Sequence, residues 1–281
     1  MKIAMTFTTA AILLSATMAL ALPQAAAQPA AQNPSAAAAQ AAPAAAKKIP
    51  QAKSKAEFEA YQAAMKETDP AKAEAQATEF VQKFPDSELR QFLFQQAMGL
   101  YQQNGNSGKT LEMARAALKY DPTNSVALLT AAQILAEHTH NEDLDRDDRL
   151  AEAVTDAETA LRHTGDIAPP PHFTPGQFAS ALAQLRGTAH EVFATVAFKK
   201  LDYPTAIKEY NAAIAEEKQN ADPVVWLRLA VAYDKNSDYL SGLDAVQKAI
   251  AASEPGSQIR TVAEQEKSRL DALTPIKPAS K

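Results

Sequence analysis

The stretch Asp222-Pro223-Val224-Val225-Trp226-Leu227-Arg228-Leu229-Ala230-Val231-Ala232-Tyr233 decides the fold. Within it Trp226, Leu229, Ala230 and Tyr233 fall at i, i+3, i+4 and i+7, one face of an α-helix. Asp222-Pro223 reads as an N-cap followed by a first-turn proline. Nine residues after Tyr233 stands Gly242, then Val246 and Ala249, and Pro255 closes the unit. That is a second helix with a small residue at its closest contact. A single pair of amphipathic helices cannot bury its own apolar faces, so the pattern must recur along the chain.

It does recur. Phe94, Ala97, Met98 and Tyr101 are followed by Thr110, Ala114, Ala117 and Pro122. His190, Phe193, Ala194 and Ala197 are followed by Ala206, Tyr210 and Ala213. A fainter first copy runs Glu57, Ala60, Tyr61, Ala64, then Ala73, Ala77, Phe80 and Pro85. A further copy has Leu128, Ala131, Ala132 and Leu135, then Ala153, Ala157 and Ala160, with extra residues between its two helices. The markers Ala64, Tyr101, Leu135, Ala197 and Tyr233 are 37, 34, 62 and 36 residues apart, and two insertions account for the long interval.

On these residues the chain resembles the tetratricopeptide repeat family, whose pattern is W-x2-L-G-x2-Y…A-x3-F-x2-A…P. The residues that carry the likeness are Tyr101, Ala117, Pro122, Ala206, Tyr210, Ala213, Trp226, Leu229, Tyr233, Gly242 and Ala249. The resemblance implies an all-α fold: a right-handed α-solenoid of about five stacked antiparallel helix pairs, followed by a capping helix. Residues 256–272 suit the cap, with Ile259, Val262, Ala263 and Leu270 on one side and charges elsewhere.

The ends divide from this body by composition. Met1-Lys2 followed by an apolar run to Leu22 and small residues reads as a secretory signal peptide over 1–27, cut after Ala27 or, as the alternative, after Ala21. An uncleaved membrane anchor is the competing reading. Residues 28–53 are nearly all Ala, Pro and Gln and read as a disordered linker, and 274–281 as a loose tail. This leaves 54–273 as the repeat domain. Residues 1–53 hold four lysines and no acid, so the rest carries 24 basic and 33 acidic residues. That balance argues against nucleic acid. The absence of cysteine excludes disulfides, thiolate metal sites and a cysteine nucleophile.

Two insertions interrupt the repeat. Residues 137–148 bring His138 and His140 beside Glu137, Glu142, Asp143, Asp145, Asp147 and Asp148. Asp143, Asp145 and Asp147 have the spacing that opens a calcium loop, but Asp148 stands where the turn glycine belongs and Val154 where the bidentate glutamate belongs. The expected structure is a solvated loop leading into a helix with an acidic first turn. The second insertion, 164–176, contains Pro169-Pro170-Pro171-His172, and Thr174-Pro175 then starts a long helix to about Lys199. Its stripe Phe178, Leu182, Leu185, Ala189, Val192 and Val196 has a coiled-coil rhythm. The stripe either packs within the chain or forms a homodimer seam through 177–199.

Gly105-Asn106-Ser107-Gly108-Lys109-Thr110 looks like the end of a phosphate loop but follows a helix instead of a strand. The histidines are scattered, and no acid–base constellation stands out. No enzyme activity, cofactor or metal is therefore expected.

The resemblance implies that the first helices line a concave face where a peptide or protein docks. Phe92, Gln95, Gln102, Gln103, Gln133, Glu191, Thr195, Lys199, Asp234 and Lys235 are expected to be exposed there. Family members that clamp a C-terminal carboxylate carry lysines where Gln95, Leu129, Glu191 and Leu227 stand here, so that mode is disfavoured. Phe84-Pro85-Asp86-Ser87 is similar to a run in envelope-assembly members. The expected function is an exported, non-enzymatic scaffold of a bacterial envelope, periplasmic and not inserted in the membrane once the signal is removed. The alternative is a metal-binding, ligand-binding or catalytic role for the acidic insertion.

Overall fold

The computed structural model describes residues 50–170, 173–218 and 221–274. The expected signal peptide, nearly all of the expected linker, the end of the expected tail, Pro171, His172, Gln219 and Asn220 lie outside them. Among the described residues the chain is helical throughout. The order is α1 (Lys55–Ala64), α2 (Pro70–Lys83), α3 (Arg90–Gln103), α4 (Ser107–Leu118), α5 (Ser125–His138), α6 (Arg146–His163), α7 (Pro175–Lys199), α8 (Tyr203–Glu217), α9 (Pro223–Lys235), α10 (Tyr239–Ala252) and α11 (Gln258–Leu273). Each helix packs on its neighbours in sequence, and α5 also touches α7 as α9 touches α11. Five helical hairpins therefore stack in a row, with α11 closing the end.

The turns inside the second, fourth and fifth hairpins follow from the sequence. Gly105, Leu201 and Ser237 each lie four residues beyond a marker and take positive φ of 69°, 62° and 61°. The next residue donates its N–H back to the marker carbonyl: Asn106 to Tyr101, Asp202 to Ala197 and Asp238 to Tyr233, at 3.0, 2.9 and 2.9 Å. This is the Schellman arrangement, which satisfies carbonyls left bare at a helix end. The same Asn106, Asp202 and Asp238 then cap α4, α8 and α10 with their side chains. Asp69, at the equivalent place in the first hairpin, caps α2. One short polar residue thus ends one helix and begins the next. Tyr101 and Tyr233 also reach the second helix of the preceding hairpin, Tyr101 donating to Glu74 at 2.6 Å and Tyr233 accepting from Asn211 at 3.3 Å.

The core runs the length of the stack as three adjoining clusters. Alanines dominate it: Ala77, Ala97, Ala114, Ala117, Ala132, Ala153, Ala157, Ala160, Ala206 and Ala249 are wholly buried. Small side chains let helix backbones approach closely, and each hairpin covers what its neighbour leaves bare. At Gly242 an added Cβ would lie 3.2 Å from Leu270 of α11 and 3.4 Å from the Ala230 carbonyl of α9. The cap and the last hairpin are seated through that gap.

Leu185, Ala189, Val192 and Val196 of α7 are buried in one cluster with Leu128, Leu135 and Leu150 of α5 and α6, and Leu182 packs on it. These residues of the stripe are therefore spent on the protein's own core, while Phe178 at its start is half-buried outside that cluster. The insertion before α7 leaves that helix long enough to span both neighbours. Its start is fixed by a capping box between Thr174 and Gln177.

Candidate binding face along the first helices

The helices α3, α5, α7, α9 and α11 run in the same direction, because each is separated from the next by one antiparallel partner. Lys199, at the end of α7, donates to the carbonyls of Glu137 and Thr139 at the end of α5, at 2.8 and 2.6 Å. Gln96 of α3 likewise donates to the Met65 and Glu67 carbonyls beyond α1, at 3.0 and 2.7 Å. Long polar side chains on one first helix thus tie off the bare carbonyls of the one before it.

The residues expected on this face separate into two groups. Phe92, Gln95 and Gln102 of α3 and Gln133 of α5 are half-buried, and Gln103 is exposed beside them. Gln95 donates to the α5 cap Asn124 at 3.4 Å, whose own amide donates to the buried Gln91 at 2.9 Å. Phe92, Gln95, Gln102 and Gln103 thus belong to the second hairpin and Gln133 to the third, with Asn124 linking the two first helices.

The second group is locked inside the fold. Arg228 of α9 donates to Glu137 of α5 at 2.8 Å and stands 3.7 Å from Glu191 of α7. The group joins three successive first helices. Burial pushes Glu191 up to about 8, against the pull of Arg228. Burial also depresses Lys199, although Glu137 opposes that. It works against the Arg228 guanidinium as well, but Glu137, Tyr210 and Glu191 outweigh it and hold the charge firmly. Tyr210 is buried with its phenol pushed up, and Thr195 lies 3.4 Å from its oxygen. Glu217 rises to about 7, through burial and then Asp222.

Three expectations are corrected here. Asp234 is buried and pairs with Arg269 of the cap helix instead of facing solvent. Glu191 and Lys199 are likewise engaged with protein partners and not held out as free charges. Lys235 alone of the last hairpin's expected set is exposed. The pairing of Glu137 with Arg228 is a finding of the structure, since the sequence places Glu137 only within the acidic insertion. The signal was present: Arg228 is a lone charge between Leu227 and Leu229 in an apolar helix, and such a charge needs a partner. Leu129 and Leu227, at two of the clamp lysine places, are core residues.

The acidic insertion is held by its own contacts. The His140 N–H donates to Asp143 at 2.8 Å, Arg149 approaches Asp143 at 4.0 Å, and Arg146 pairs with Asp147 and donates to the Lys199 carbonyl at 2.6 Å. Asp147 and Asp148 lie in the first turn of α6, where the helix dipole favours them. No group of three or more His, Asp or Glu placed for a metal ion occurs among the described residues. No helix among them is long and apolar enough to cross a membrane. Gly105–Thr110 is a hairpin turn and helix start.

No protein-family model matches the chain. No curated protein matches it either. Among solved structures, a tetratricopeptide repeat protein from Parabacteroides merdae is similar at 16% identity, over 76% of this chain and 91% of that one, with a TM-score of 0.36.

Proposed function

We propose that this chain is an exported, non-enzymatic scaffold of a bacterial envelope that holds a protein or peptide partner along its first helices. The observation that supports the reading is that Phe92, Gln95, Gln102 and Gln133, on the first helices of two successive hairpins, are each left half-exposed. They offer one aromatic anchor and several amides that can donate and accept, a surface suited to side-chain recognition of a peptide. Export rests on the basic, apolar and small-residue order of residues 1–27.

The test is capture of partners by the mature protein from its own envelope. Replacing Phe92, Gln95 and Gln133 together by alanine abolishes the captured set, whereas replacing Glu142, Asp145, Asp147 and Asp148 does not abolish it. The reverse pattern would overturn the reading. Export is checked by the N-terminus of the processed protein, expected at Gln28. An intact Met1 would refute cleavage.

A further inference from the structure

Glycine inside a helix weakens it, so Gly187 in the middle of α7 points to a close approach. The group that approaches is a carboxyl. A Cβ at position 187 would lie 3.0 Å from Oε1 of Glu217, the last residue of α8, and 3.5 Å from the Ala213 carbonyl. Glu217 also accepts the N–H of Asp222, whose own carboxylate caps α9. One turn along α7 from Gly187 stands Glu191, which feels the charges of both Glu217 and Asp222. Three carboxyls, one each from α7, α8 and the start of α9, therefore converge where the fourth hairpin meets the fifth.

The cations around them are already engaged. Arg228 stands 3.7 Å from Glu191 but is bonded to Glu137 of α5 at 2.8 Å. Arg186, beside Gly187, pairs with Glu216 at 2.7 Å, and His190, beside Glu191, lies 2.7 Å from Glu209. Lys199, two turns beyond Glu191, is fixed on the Glu137 and Thr139 carbonyls. Lys218, next to Glu217, is exposed and takes φ 55° and ψ −118°, values at which glycine is the usual residue. The Tyr210 phenol, buried near Glu191 and Arg228, is pushed up and stays neutral. A helix glycine, a strained helix end and crowded carboxyls thus meet at one contact, and such local costs collect where a fold has two states.

We infer that this contact is a proton-controlled latch between the fourth and fifth hairpins, closed while Glu191 and Glu217 hold their protons and opened when both ionise. Closed, the two carboxyls are neutral neighbours of the Asp222 carboxylate. Ionised, they repel each other and Asp222 across a gap that water enters poorly. Glu191 then gains attraction from Arg228, but Glu137 has already matched that charge. Among the described residues no cation pulls Glu217 down. Opening returns both groups to water, where they release their protons. Each therefore favours the closed contact at low pH, and the gain is lost as pH rises through about 7 for Glu217 and about 8 for Glu191. Since α9 is one of the first helices, the latch sets its placement against α7 whether or not a partner is bound.

The test is hydrogen exchange of the full chain at about pH 6 and about pH 8.5, corrected for the intrinsic rate, with the emission of Trp226, the single tryptophan and a residue of the first turn of α9, as a second readout. Protection in the last turn of α8 and the first turns of α9 is expected to fall at least tenfold at the higher pH, more than in α3 and α4, and the Trp226 emission shifts over the same interval. Glu191→Gln with Glu217→Gln removes both responses, Glu217→Gln alone shrinks them, and His190→Gln leaves them. Gly187→Ala displaces Glu217 and gives the fast exchange already at the lower pH. An equal change along the whole stack, no change at this contact, a response that survives the double replacement, or one that vanishes with His190 overturns the inference.

Discussion

Arg228 and Glu137 are 91 residues apart in sequence and meet at 2.8 Å, linking α9 to α5 over α7. The fourth hairpin is thus pinned between its two neighbours by a charge pair as well as by packing. Removing the cation leaves Glu137, and Glu191 when ionised, without their counter-charge. Breaking such a pair from one side costs about 3 kcal/mol. Arg228→Ala should lower the urea midpoint accordingly, and Glu137→Gln on that background should cost less than it does alone. Additive losses in the double-mutant cycle would show the two groups to be uncoupled.

Stability should depend on pH in a definite direction. Glu191 rises to about 8, Glu217 to about 7 and Asp156 to about 6, each chiefly through burial. The folded chain therefore keeps protons that the unfolded chain has released. Stability falls as pH rises between the ordinary carboxylate range and about pH 8. Glu74, held below its ordinary value by Lys109 and Tyr101 against the cost of burial, acts only on the acid side of that window. The melting temperature should decline from pH 5 to pH 8. Glu191→Gln should raise it at pH 8, leave it unchanged at pH 5, and flatten the slope. A slope that persists in the variant would assign the effect elsewhere.

The hairpin turns make opposite predictions at equivalent positions. Leu201→Gly removes left-handed strain, part of which the entropy of glycine offsets, for a net gain of about 0.5 kcal/mol. Gly105→Ala introduces the strain and costs about 1 kcal/mol. Chemical denaturation of the two variants should move in opposite directions.

Gly242→Val should cost about 2 kcal/mol or more, since Leu270 and the Ala230 carbonyl already lie within van der Waals contact of an added Cβ. Protection from hydrogen exchange in α11 should fall first, because that helix is held by the last hairpin alone. Uniform loss along the whole stack would mean that the cap does not open separately.

The repeat was legible because the 3.6-residue period places apolar residues on one face, and because small residues recur where helices cross. The periodic positions in Trp226–Tyr233, the gaps to Ala206 and Gly242, and the start of α7 at Thr174-Pro175 all follow from local chemistry. Asp69, Asn106, Asp202 and Asp238, five residues beyond their markers, mark the turns just as regularly, because a short polar side chain there caps the following helix. The exposure of the first-helix residues was a different matter. Asp234 and Lys199 have the composition of surface residues. Whether they face solvent depends on Arg269, 35 positions along the chain from Asp234, and on carbonyls 60 and 62 positions from Lys199. Periodicity gives the side of a helix and not what stands opposite it. For the same reason the α7 stripe reads equally as core or seam until α5 and α6 are seen against it. The sequence by itself determined the helical hairpins and their stacking, because both arise from a local period repeated along the chain and from packing between elements that follow one another. Only the tertiary structure decided which polar groups are spent on the fold, because their partners come from other hairpins.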